Sequence, residues 1–532
     1  MTGRADDFLA RTQGSAPAGS TSTTPGPARG GPQGGRQAVR VGLALAAGAA
    51  WAAAAPPRGW WPLLSLGVAA LALALRGRQA RERWLLGGLA GVVFYGSTLR
   101  WLIGFSVLGY LAMTLLEAAL LAAAVWLVPA GRSGRWSGPA GSGSWWTLPA
   151  ALVLLAAVQV SFPLGGFPLP GLALSQPSGP FALAAPLGGS LLVTATAAAG
   201  GVALAALVGV RGRRRRLVAA AGALAVAVLP VIVGGAVATR GAGTLDVAIV
   251  QGGGPRGVPA VFDPPAQVTE RQLVVLRQIT DPPDLVVLPE DVVGVDGSVA
   301  GSLPDRQIAA QARRLKASVV VGVVETQPNG FRNAAVLWGP DGNRLDRYEK
   351  EHRVPFGEYI PARALLERLT DATALVPRDA IPGRGQALLR APVAPLGVVI
   401  SYEVFFADRV REAVADGGQI VLVPTNAASF VTPEVPALEM AAARLRARET
   451  GRTVLQAAPT GYSVVVLPTG KVLAQSRLGA PALLRQRVPL RTGLTPYTRV
   501  GDLPMIVLAI ATLLAPPVTA RVRSPRRRAR AG

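Results

Sequence analysis

Cysteine is absent from this 532-residue chain, and histidine occurs once, as His352. The first absence excludes disulfides, thiolate metal sites and cysteine catalysis together. The second excludes a multi-histidine metal site and leaves one candidate for any histidine-based triad. Lysine is almost missing as well: Lys316, Lys350 and Lys471 are the only three among 54 basic residues. Where arginine has displaced lysine so widely, a retained lysine suggests a need for a side chain that can lose its proton, which arginine cannot do. The sequence also holds no P-loop, no dinucleotide-binding fingerprint and no internal repeat.

Apolar and basic residues dominate instead. Half of the chain is hydrophobic, the mean hydropathy is +0.38 and the formal net charge is +24. The charge is unevenly spread. Residues 244–500 carry 29 Lys+Arg against 25 Asp+Glu, and the rest of the excess lies in clusters between apolar runs of 1–243 and 501–532. That is the positive-inside signature of membrane topology and calls for no polyanion, so nucleic acid is not an expected partner.

Apolar segments run over roughly 41–56, 61–75, 84–104, 107–129, 146–164, 187–210 and 217–238, with an eighth at about 503–518. Arginines follow every second one: Arg76, Arg78, Arg81 and Arg83; Arg132 and Arg135; Arg211 and Arg213 to Arg216; and six between Arg521 and Arg530. The pattern predicts about eight spans with both termini in the cytoplasm and residues 244–500 outside it. The expected division is a disordered basic tail at 1–38, a transmembrane α-helical bundle of about seven helices at 39–240, an α/β domain at 244–500, a last transmembrane helix at 501–520 and a basic cytoplasmic tail at 521–532. Within the α/β domain, 244–251, 283–290, 317–325, 396–403 and 418–426 read as buried strands, 333–350 as a hairpin around Pro340–Asn343, and 437–451 as a helix stopped by glycine.

Three polar positions stand out. Glu290 closes an apolar run in "VVLPEDVV", Lys350 sits in "YEKEHRVPFGEYIP", and Ser401 follows "GVVI" in "GVVISYEVFF". Singly, each has an ordinary explanation: a strand-end glutamate caps or meets solvent, a lone lysine is a surface charge, and a serine after a strand makes a turn. Two of the three nevertheless close predicted strands, where α/β proteins gather their chemistry.

Together, "LPE", "YEKEHRVPFGEYIP" and "SYEVFFADRVREAV", in that order, resemble the nitrilase (carbon–nitrogen hydrolase) superfamily and, within it, the membrane-bound apolipoprotein N-acyltransferase family. "SFPLGGFPLPGLALSQ" (161–176), "ARLRARETGRTVLQAAPTGYSVVV" (443–466) and "PLRTGLTPYTRVGD" (489–502) resemble further signatures of that family. The resemblance implies an extracytoplasmic αββα sandwich carrying a Glu-Lys-Cys triad, on a multi-pass protein of the bacterial cytoplasmic membrane. It implies Glu290 as general base, Lys350 as oxyanion stabiliser, Glu358 as helper of the base, and Tyr402 and Glu403 as residues that shape the site. It further implies a two-step acyl transfer, from a phospholipid donor to the nucleophile and then to the N-terminal amine of a diacylated lipoprotein, with no metal or cofactor.

The chain departs from that pattern twice. Ser401 occupies the cysteine position, and "TNAASF" (425–430) stands where the family reads "TND-x-WF", so that Ala427 replaces an acid and Ser429 an aromatic. A serine hydroxyl is far less acidic than a thiol and needs a stronger base in the transition state. His352, two residues from Lys350, is either a recruited base or a structural residue of that stretch. Three readings follow: an active serine acyltransferase, a catalytically silent paralogue that binds lipid or lipoprotein, and a membrane-tethered amidase.

Overall fold

The computed structural model describes residues 32–129, 145–210, 212–368, 373–374 and 376–515. The expected carboxy-terminal tail, most of the amino-terminal one, and Arg132, Arg135 and Arg211 lie outside the described residues. Helix α1 begins at Pro32 (Pro32–Ala54), inside the stretch expected as tail. Proline suits a first helical turn, and the Arg, Gln, Ala and Val that follow are compatible with a helix.

Six more helices precede the α/β domain: α2 Pro62–Leu75, α3 Ala80–Thr98, α4 Val107–Leu127, α5 Leu148–Gln159, α6 Ala185–Gly209 and α7 Arg213–Gly235. By length and composition, four stretches among the described residues can cross a membrane: Gly35–Ala54, Val107–Leu127, Pro180–Gly209 and Arg213–Gly235. Pro62–Leu75, Leu148–Gln159 and Leu503–Leu514 are apolar but shorter, and α3 opens with Arg81, Glu82 and Arg83. The burial of these helices differs. α6 is largely enclosed, whereas α7 exposes Leu217, Val218, Leu224, Leu229, Ile232 and Val233 along its length.

Among the described residues thirteen strands build two sheets. They are β1 Arg240–Gln251, β2 Leu285–Val287, β3 Val293–Asp296, β4 Ser318–Gln327, β5 Gly330–Trp338, β6 Arg344–Glu349, β7 Leu388–Arg390, β8 Pro395–Val398, β9 Ile420–Pro424, β10 Val454–Ala457, β11 Val464–Val466, β12 Val472–Gln475 and β13 Ala482–Thr492. The first sheet runs β13-β1-β2-β4-β5-β6 with β3 beside β4, and the second β12-β11-β10-β9-β8-β7. Strands β1, β2 and β4 are parallel, as are β8, β9 and β10. Their buried stretches, such as VVVGVV (319–324) and IVLV (420–423), read as Val/Ile/Leu-rich runs without polar alternation.

Alternate side chains serve different layers, as the two-residue period of a strand requires. Val247, Ile249, Val287 and Leu337 meet Leu389, Leu396, Val398, Leu422 and Leu455 between the sheets. Val286, Val319 and Val321 point the other way, onto helices Pro265–Arg277 and Leu303–Leu315. Val421, Val423 and Val454 do the same toward Ala407–Ala415 and Glu434–Thr450. The result is the expected αββα sandwich. Its second helical layer also takes Leu169, Ala173, Leu174, Ala182 and Val193 from the membrane region, so one apolar cluster joins sandwich to bundle.

Gly322 in β4 runs against the turn that carries Glu290. Its N–H donates to Pro289 O at 3.0 Å, and a Cβ there would lie 2.3 Å from that oxygen and 2.4 Å from Glu290 Cα. Gly322→Ala is therefore expected to destabilise the sandwich by about 1–3 kcal/mol, the usual effect of overpacking. Thermal unfolding of the detergent-solubilised protein checks this: an unchanged melting temperature would refute the close approach.

Candidate active site

Glu290 lies just beyond β2, Lys350 directly after β6, Ser401 after β8 and Thr425 after β9. The parallel directions of these strands bring their carboxyl ends to one edge of the sandwich. Lys350 Nζ donates to Glu290 Oε1 and to Glu358 Oε1, both at 2.9 Å. Asn333 Nδ2, from β5, donates to the same two oxygens at 2.8 and 3.1 Å, and Glu358 Oε2 accepts the Val354 N–H at 2.7 Å. Glu290 and Lys350 are nearly inaccessible to solvent.

Burial shifts both. It pushes the Glu290 carboxyl up, as does the neighbouring Glu358, while Lys350 draws it back. A buried lysine is ordinarily pushed down, but here the charges of Glu290 and then Glu358 outweigh desolvation and hold Lys350 above its usual range. Lys350 is thus a fixed cation. The sequence suggested a lysine kept for its capacity to lose a proton. The structure corrects that, because two carboxylates close on the same ammonium.

Ser401 takes the left-handed backbone conformation, with φ +52°. Such a conformation in a non-glycine residue is strained and concentrates at functional turns. Ser401 Oγ lies 3.2 Å from Thr425 Oγ1, which lies 2.6 Å from Glu439 Oε1. The fields of Glu290 and Lys350 both reach Glu439, which links this chain of oxygens to the charged cluster.

Two of the expected site residues act as supports. Glu403 is fully buried and accepts from Tyr348 OH at 2.8 Å and from the N–H groups of Glu351, His352 and Ile400 at 2.8, 3.0 and 2.7 Å. Burial alone would raise its pKa, but the bonds from His352, Ile400 and Tyr348 hold it below the usual carboxylate value. Tyr402 turns toward the membrane region, and its hydroxyl donates to Gly166 O at 2.8 Å. His352 stacks on Phe406 at 4.3 Å and lines a cavity of about 160 Å³ with Gly165, Gly166 and Tyr359. Among the described residues no hydrogen bond joins His352 to Ser401, and the geometry favours a structural role for it.

Sequence reasoning passed over Asn333, Thr425 and Glu439. Glu439 alone carried a signal, an acid inside the apolar stretch 437–443 of a helix. The loop 425–430 does border the site: Ala427 is buried, and Phe430 meets Trp101 and Phe105 of the membrane region edge-on, each at 5.3 Å. Among the described residues no group of three or more acidic or histidine side chains could hold a metal ion.

A carbon-nitrogen hydrolase family model matches residues 284–492, the greater part of the sandwich. A second model, for the apolipoprotein N-acyltransferase N-terminal domain, matches residues 47–203. The apolipoprotein N-acyltransferase of Pseudomonas paraeruginosa is 31% identical over 91% of this chain and 97% of its own length, and that of Azotobacter vinelandii 30% identical over 88% and 93%. The Mycolicibacterium smegmatis protein of the same name is 31% identical over 43% of this chain, a match spanning 39% of its own length. An amidase from Nesterenkonia sp. aligns over 51% of this chain and 97% of its own, at 21% identity and a TM-score of 0.36. The two family models and the full-length relatives define an acyltransferase of the nitrilase superfamily. The chain belongs to the apolipoprotein N-acyltransferase family.

Glu403 supplies a pH test. Because its pKa is lower folded than unfolded, it contributes stability above the ordinary carboxylate value, and that contribution is lost as pH falls through the folded value. Glu403→Gln is expected to lower stability by about 1.5–3 kcal/mol near pH 7, the range for hydrogen bonds to a charged group. The gap from native should close toward pH 3 in melting curves. A gap that persists in acid would show that the carboxylate charge is not what the four donors hold.

Proposed function

We propose that this protein is a membrane N-acyltransferase that works through Ser401, with a phospholipid as acyl donor and the N-terminal amine of a diacylated lipoprotein as acceptor. The observation that carries the reading is the dry Glu290–Lys350–Glu358 cluster on the same sandwich edge as a strained, buried serine. Ser401 Oγ attacks the acyl carbonyl carbon of the phospholipid. The Oγ–C bond forms as Glu290 takes the hydroxyl proton, and Lys350 meets the negative charge that develops on the carbonyl oxygen. Stabilisation of this kind lowers a barrier by roughly 3–4 kcal/mol. The C–O bond to the glycerol then breaks, and the proton passes from Glu290 to the departing lysophospholipid. In the second half the lipoprotein amine attacks the serine ester, the N–C bond forms and the C–Oγ bond breaks. Glu290 carries the amine's proton back to Ser401. Burial, by raising Glu290, makes it a stronger base than a free carboxylate, which a serine needs more than a cysteine would. The steps use no metal or cofactor.

The same proposal takes 39–240 and 501–520 as a bundle of about eight spans and 244–500 as the catalytic unit, on the extracytoplasmic face. It takes 1–38 and 521–532 as cytoplasmic tails. The alternating arginine clusters support that orientation. The apolar segments of 41–238 would admit the phospholipid beside Ser401. A silent paralogue is less favoured, because buried charged groups are costly to keep without use.

Purified protein, labelled phospholipid and a diacylated lipopeptide, followed by mass spectrometry, test this. Native protein should give N-acylated peptide, Ser401→Ala should lose at least ~10³-fold of that activity, and Ser401→Cys should also turn over. Product formed by Ser401→Cys but not by the native protein would sink the serine mechanism and leave a binding role.

A further inference from the structure

Glu439, a buried acid that reaches Ser401 through Thr425, has no task in the mechanism above. Glu439 is 3% exposed, and its Oε2 has no hydrogen-bond partner among the described residues. Its single hydrogen-bond contact is Thr425 Oγ1 at 2.6 Å, and Thr425, itself fully buried, reaches Ser401 Oγ at 3.2 Å. A carboxylate without a cation in contact is costly to bury, so such a group keeps its proton.

We infer that Glu439, as a neutral acid acting through Thr425, is a positioning residue that fixes the direction of the Ser401 hydroxyl. Thr425 has one hydrogen to give. When Glu439 is protonated, it donates to Thr425 Oγ1, and Thr425 donates in turn to a lone pair of Ser401 Oγ. That leaves the Ser401 hydrogen for the base. When Glu439 is ionised, it claims the Thr425 hydrogen, and Thr425 then accepts from Ser401, which turns the serine proton away from the base. The relay therefore works on the acid side of the Glu439 titration. Burial, before any other influence, pushes that titration up to about 8. Thr425 opposes the shift, Glu290 adds to it and Lys350 reduces it, and these two are the charged groups that act on Glu439 from the facing elements. A serine gains more from such a relay than a thiol would, because it cannot ionise in advance.

The proposal rests on Ser401 as nucleophile, and one half-reaction tests both. The full-length protein in detergent is labelled with an alkyl fluorophosphonate. The Ser401 Oγ–P bond forms, fluoride leaves and the proton goes to Glu290, so no acceptor amine titrates. The native labelling rate should fall about tenfold between pH 8 and pH 9.5. Glu439→Gln donates at every pH and should lose that fall. Thr425→Val should be slower by roughly tenfold or more throughout, while Thr425→Ser should keep both the rate and the fall. A native rate that climbs through pH 9.5, or a Glu439→Gln profile that retraces the native fall, overturns the relay and leaves the nucleophile standing. Absence of labelling at any pH overturns the nucleophile and the relay with it. The native profile decides alone should the variants not fold.

Discussion

One ammonium group shared by a buried carboxylate, Glu290, and a partly buried one, Glu358, holds this site together. Lys350 ties the end of β6 to the turn after β2 through Glu290 and to the following loop through Glu358, and Asn333 adds a neutral donor from β5 to both acids. None of the three charges is well solvated, so each is stable there only in the presence of the others. Removing one partner of such a set typically costs 3–5 kcal/mol, far more than the net contribution of the intact set. The mutual dependence makes the cluster rigid, and rigidity is what transition-state stabilisation requires. A donor fixed before the reaction need not reorganise when charge appears on the carbonyl oxygen.

The sandwich was largely legible in the sequence, and the reason is physical. Parallel strands covered on both faces must be apolar throughout, and "VVL", "VVVGVV" and "IVLV" announce that burial without reference to any partner. The hairpin around Pro340–Asn343 and the helix ended by Gly451 are set by local turn and cap chemistry, which is also visible locally. The membrane region was legible as apolar. Among the described residues four stretches are long and apolar enough alone to cross a membrane, and α2 and α5 are apolar but shorter.

The site divides the same way. Glu290, Lys350 and Glu358 lie in stretches whose neighbours mark them, so their positions could be read. Their relations could not. The charge state of Lys350 follows from a carboxylate 60 residues earlier in the chain, and that distance in sequence conceals the outcome. Asn333, Thr425 and Glu439 sit on a strand, a strand end and a helix face, and nothing in their own neighbourhood shows that they meet the site. What makes them part of the site is register: which β5 residue lies opposite Glu349, and which turn of the helix Glu434–Thr450 comes to rest over β9.

The strained serine shows why the sandwich and the membrane region must be considered together. A φ of +52° persists only where the flanking residues leave no alternative. On the sandwich side, Glu403 gathers the N–H groups of Ile400, Glu351 and His352 and so pins the turn to the stretch after Lys350. On the membrane side, Tyr402 is held by the carbonyl of Gly166, and the Phe406 ring lies so close to Gly166 that a Cβ there would fall 2.7 Å from it. Gly166 has φ +122° and no side chain, which lets the segment 161–176 reach the turn at all. The residues on either side of Ser401 are therefore anchored in opposite directions, one network reaching into the charged cluster and the other into the membrane-facing segment. Any movement of that segment acts on Ser401 through a single peptide unit, so residues 161–176 and the Ser401 hydroxyl share one mechanical element.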